Sequence, residues 1–160
     1  MSDPPVTGHT SAVETGSDTF NPVADHQALY GAGRSLMAGV KRLHECPEPP
    51  VVALTFLAGQ AAECLLKALL VGSGVSEKSL HARNVRHDLV YLWREACKPV
   101  SALPGQPPEW LAQLSRLHAA PYVLRYPLGM HGLVLPVQTD MVDGLEGLVG
   151  LTKVYLSSRA

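Results

Sequence analysis

Aromatic residues make up only 6% of this 160-residue chain, and charged residues only 17%. A core with so few rings must be filled by Leu, Val and Ala, a palette that favours helix packing over strand pairing. A basic excess is also missing, since 13 Lys and Arg stand against 14 Asp and Glu for a formal net charge of −1. Proteins that grip long nucleic acid carry surplus positive charge to neutralise phosphates, so any such contact here must come from a local patch. The three cysteines, Cys46, Cys64 and Cys97, are odd in number and contain no CxxC pair. That argues against a disulfide framework and a thiolate zinc site, and leaves reduced, partly buried thiols as the expectation. Apolar stretches are interrupted by Glu63 and Lys67 or by glycines, so no membrane span is expected. Residues 1–22 show neither the basic nor the apolar region of a signal peptide, and the expected location is the cytoplasm.

What is present is apolar sequence, 46% of the chain, enough to bury the core of a single domain. Residues 1–22 are rich in turn-formers and read as a flexible tail, followed by a domain over 23–160. From about Val23 a helix is predicted, with Leu29, Leu36, Val40 and Leu43 on one face and Pro47, Pro49 and Pro50 after it. The strongest periodicity runs from about Pro50 to Val71, with Leu54, Leu57, Ala58, Ala61, Leu65, Ala68 and Leu69 in register and Gly72-Ser73-Gly74 as its stop. Residues 76–86 read as a locally basic loop. Asp88 is a good N-cap for a third helix carrying Leu89, Leu92, Trp93 and Ala96. A short fourth helix is predicted over Glu109–His118, with Trp110, Leu111, Leu114 and Leu117 inward. A last helix, from about Pro136 to Ser157, carries Met141, Leu145, Leu148, Thr152 and Tyr155 or Leu156 in register. The expected fold class is all-α, an antiparallel four- to five-helix up-and-down bundle.

Three segments, in order, carry a resemblance. Ala61-Ala62-Glu63-Cys64-Leu65-Leu66-Lys67-Ala68-Leu69-Leu70 is similar to an "AAE-x-x-LKALL" helix core, His87-Asp88-Leu89 with Leu92 to an "HDL-x-x-L" helix start, and Leu124-Arg125-Tyr126-Pro127 to an "RYP" element. Together they resemble the HEPN family of small prokaryotic helical proteins. The resemblance implies a HEPN-like bundle that forms a homodimer and serves a nucleotide- or RNA-linked toxin–antitoxin or defence system, often beside a minimal nucleotidyltransferase. It implies no cofactor and no metal. Ribonuclease members carry Arg-x(4–6)-His, thought to form a metal-independent endoribonuclease site across a dimer. Arg125 and His131 satisfy that spacing, with five residues between them.

Those two residue types suit the chemistry, because guanidinium steadies a negatively charged transition state and imidazole moves a proton near neutral pH. The alternative is that Arg125 pairs with a carboxylate at a helix junction and His131 packs locally. Pro127, Gly129 and Gly132 disfavour a continuous helix between them. Glu63 precedes Lys67 by one helical turn, the favourable order for an intrahelical pair. A solvated stripe is one reading, and a groove holding Arg125 or a nucleotide phosphate is the other. Tyr126 and the basic residues Arg83 and Arg86 are further candidates for contact with a nucleotide or RNA. From Glu77 to Lys98 five Lys and Arg face three acids, a modest phosphate-binding surface. A metal reading would require His81, His87 and a carboxylate to converge at a spacing that matches no strong ligand signature. Gly144, Gly147 and Gly150 mark the last helix for a close contact, within the bundle or between copies. The competing function is a non-catalytic helical interaction or dimerisation module.

Overall fold

The computed structural model describes residues 23–81, 86–126, 129 and 131–159, so the expected tail over 1–22 and the candidate Arg83 lie outside the described residues. Every regular element among the described residues is a helix: α1 (Asp25–His44), α2 (Val51–Gly72), α3 (Glu77–Leu80), α4 (Leu89–Cys97), α5 (Glu109–His118) and α6 (Gln138–Ser157). The expected helices are present with ends shifted by a residue or two. The one-turn α3 falls where a plain loop was expected; Ser79 Oγ donates to the Ser76 carbonyl at 2.6 Å, local bonding of the kind Ser uses at turns.

The hub is α2, which packs against α1, α4, α5 and α6. Its Leu54, Ala58, Ala61, Leu65, Leu66, Leu69 and Leu70 are buried, so apolar residues surround the helix rather than line one stripe. By length and composition alone α2 is apolar enough to cross a membrane, despite Glu63 and Lys67. However, 72% of its most apolar window is buried inside the fold, which makes it a core helix. It ends in a Schellman motif. Gly74 adopts φ 98, the Val75 N–H donates to the Leu70 carbonyl at 3.0 Å, and the Gly74 N–H donates to the Val71 carbonyl at 3.0 Å.

Close approaches fix the helix directions. Gly33 of α1 faces Leu65 and Ala61, Gly39 faces Leu57, and Gly72 faces His26, so α1 and α2 run antiparallel. At Gly33 an added Cβ would sit 2.8 Å from Leu65 Cγ, so the closest approach lies to one side of the expected face, of which Val40 is buried and Leu36 and Leu43 pack against the core. Gly33, Met37 and Val40 are buried, whereas Leu29, Leu36 and Leu43 flank the interface half-buried. On α6, Met141, Leu145, Leu148 and Thr152 are buried as predicted. The buried Thr152 hydroxyl donates to the Leu148 carbonyl at 2.7 Å.

The glycines of α6 are not equivalent. Gly144 lies against the Trp110 indole of α5, whereas Gly147 and Gly150 face open space. Only the first is therefore a close contact within the fold, which narrows the expectation placed on all three. An alanine at Gly144 must displace a packed ring, and Gly144→Ala should lower the unfolding free energy by about 1–3 kcal/mol. Gly147→Ala should instead be neutral or stabilising, since it adds helix propensity with room to spare. Urea denaturation of the two variants checks the difference.

Candidate functional site

Along α2, Phe56, Gln60, Glu63 and Lys67 recur at spacings of four, three and four, which places them on one stripe. That stripe faces the start of α4, the end of α5 and the turn after it. Glu63 and Lys67 do bond to each other, with Nζ donating to Glu63 Oε1 at 2.6 Å. They are not the solvated pair that their spacing suggested. Glu63 is 8% exposed and Lys67 6%, because α4 and α5 close over them.

The other carboxylate oxygen has two partners. His87 Nδ1 lies 2.9 Å from Glu63 Oε2, and His118 Nε2 lies 2.6 Å from the same atom. The two imidazoles meet edge to face at 5.6 Å between ring centres. Burial on its own would raise the Glu63 pKa. Hydrogen bonds to His118, Lys67 and His87, together with the Lys67 charge, outweigh burial and hold it at about 2. The carboxylate is thus anionic, with both oxygens engaged.

Each partner is held by its own element. Asp88 caps α4, accepting from the Tyr91 N–H at 3.0 Å, as its position predicted. Ser115 of α5 accepts from the Leu89 N–H at 3.0 Å and donates to Asp88 Oδ1 at 3.3 Å, which ties α5 to the residue beside His87. His118 fits because residue 59 has no side chain; a Cβ there would lie 2.6 Å from His118 Nδ1. No motif in the sequence marks His118. The available signal was its register with Leu111 and Leu114, which puts a histidine at an inward position of α5. The metal reading had paired His87 with His81. Instead, His81 is exposed and sits 3.0 Å from Glu77. Among the described residues it is Glu63, His87 and His118 whose ligand atoms converge, all within 4.8 Å of one another.

Beside this buried cluster lies Arg125. Tyr122, at φ 61 in the left-handed region that non-glycine residues seldom adopt, sets its ring edge-on to His87 at 5.5 Å. The Arg125 guanidinium carbon lies 5.6 Å from the Tyr122 ring centre and 5.5 Å from that of Phe56. Arg125 is exposed and has no carboxylate partner among the described residues, unlike the junction ion pair considered for it. It borders an open, mainly apolar groove of about 690 Å³ lined by Pro49, Pro50, Val52, Phe56 and Leu124. Tyr126 is 64% exposed. Arg86 is half-buried, and its Nε has no partner among the described residues. His131 is exposed on an irregular segment, and no helix joins it to Arg125 among the described residues.

Burial pushes the Cys64 and Cys97 thiols upward, which disfavours their thiolate forms. Comparison with protein-family models, with curated proteins and with solved structures finds no match.

Proposed function

We propose that this chain is a HEPN-like helical bundle acting in a nucleotide- or RNA-linked toxin–antitoxin or defence system, and that it meets its ligand in the groove beside Arg125. The observation that carries the reading is an exposed guanidinium, within cation–π reach of Phe56 and Tyr122 and without an acidic partner among the described residues, at the rim of an apolar groove. Its volume of about 690 Å³ lies within the range of small-ligand sites. A base would lie against Phe56, Val52 and the two prolines, and its phosphate would meet Arg125. Glu63 and Lys67 support this corner from beneath, through His87 and Tyr122, rather than touching the ligand.

Calorimetric titration with AMP, ATP, GTP and a short single-stranded RNA tests the reading. Binding of at least one is expected, and Arg125→Ala should weaken it by about tenfold or more. If the active form is a metal-independent endoribonuclease, cleavage in chelator should vanish in Arg125→Ala and His131→Ala. Absence of both binding and cleavage would remove this reading.

The second reading is a non-catalytic module that pairs with itself or with a nucleotidyltransferase-type protein. It is favoured by the irregular placement of His131 and by the open Gly147–Gly150 face of α6, where Val154 is 71% exposed. A homodimer belongs to either reading, and light scattering at several concentrations measures it.

A further inference from the structure

We propose that Glu63, His87 and His118 form a binding site for one divalent transition-metal ion of the zinc, cobalt or nickel type. The observation is convergence. Two imidazole nitrogens from different elements, His87 Nδ1 and His118 Nε2, both approach Glu63 Oε2, at 2.9 and 2.6 Å. The ligand atoms available from the three residues all lie within 4.8 Å of one another. Two imidazoles and a carboxylate make a donor set that suits these ions and disfavours magnesium and calcium, which prefer all-oxygen surroundings.

The geometry needs little change. Ligands about 2.0–2.1 Å from a tetrahedral zinc stand roughly 3.3 Å apart, so each nitrogen must draw back from Glu63 Oε2 by about half an ångström, while the two nitrogens, within 4.8 Å of one another, settle to that same spacing. The nitrogens now directed at Glu63 Oε2 would turn a lone pair toward the ion, each imidazole carrying its proton on the other nitrogen. The surroundings hold the ligands in place: the Asp88–Ser115 link fixes the chain beside His87, and Gly59 leaves room for His118. The His87 side chain is 20% exposed and provides the route from solvent. Three protein ligands leave a fourth position for solvent or a ligand atom.

Lys67 supplies the distinguishing feature. Its ammonium lies 2.6 Å from Glu63 Oε1, so one carboxylate serves an internal cation on one oxygen and the ion on the other. Lys67 keeps the cluster balanced when no ion is bound and competes with the ion electrostatically when one is. The site is thus one of restrained affinity, whose strength rises when the lysine charge is removed.

The test uses the full chain without a histidine tag, stripped with chelator and dialysed against Zn²⁺ or Co²⁺ alone. One ion per chain by elemental analysis, a raised Tm and a Co²⁺ ligand-field absorption in the visible are expected. His87→Gln, which alters the most exposed ligand, and His118→Gln should each weaken binding by at least about tenfold, the lower end of what even an outer-shell partner is worth. Lys67→Met should strengthen it by about tenfold or more, because a dication and an ammonium on one carboxylate repel. Circular dichroism establishes that each variant is folded, and His87→Gln keeps the test open if His118→Gln does not fold. Retention of no ion by either the wild-type or the Lys67→Met protein would overturn the assignment. So would binding unaffected by His87→Gln, which would place the ion elsewhere on the chain.

Discussion

Glu63→Ala should lower the unfolding free energy by about 3–5 kcal/mol, measured by urea denaturation in chelator-containing buffer. The variant leaves the Lys67 ammonium, only 6% exposed, without its carboxylate, and removes the acceptor that His87 and His118 share. An uncompensated buried charge costs far more than the net worth of the pair it came from. The exposed Glu95–Lys98 pair provides the internal control: its lysine side chain is 69% exposed, and Glu95→Ala should cost about 0–1 kcal/mol. Glu63→Gln should cost about 3 kcal/mol, the low end of the Glu63→Ala range, because it keeps an oxygen acceptor and loses the charge. A loss below about 1 kcal/mol for Glu63→Ala would mean that water reaches the cluster and that burial contributes nothing to it.

The helices were legible because their signals are local. Proline clusters, the Gly74 stop, the Asp88 cap and the registers of α2, α4, α5 and α6 each act within a few residues. The α1 face was legible in part: Val40 is buried and Leu36 and Leu43 pack against the core, but the closest approach, Gly33 on Leu65, is a tertiary contact that no periodicity within α1 records. The site was half legible. Glu63 and Lys67 stood out by their one-turn spacing on an apolar helix and Arg125 by the motif it sits in, but the sequence could not reveal that α5 brings His118 against Gly59 and closes the stripe from solvent. An intrahelical Glu–Lys pair has the same spacing on a wet surface as in a core. Only the neighbours decide which it is, and here they arrive from positions 24 and 55 residues away.

That enclosure has a pH signature, the second large effect. Glu63 is held at about 2 in the folded chain, against 4.5 for an ordinary glutamate. Below pH 4.5 the unfolded chain takes up a proton that the folded one refuses, so falling pH favours unfolding until the folded carboxyl is itself protonated. The contribution is therefore fully present above about pH 5 and lost as the pH falls toward 2, an effect on the order of 3 kcal/mol. Contributions that the wild type and Glu63→Gln share cancel between them, so the informative quantity is the stability gap between the two, measured by urea unfolding at steps from pH 6 to pH 2. That gap should narrow by about 3 kcal/mol over the window, because glutamine cannot take the proton. Two parallel curves would show that the three bonds at Glu63 do not outweigh its burial, and the carboxylate would then be no anchor for the histidines.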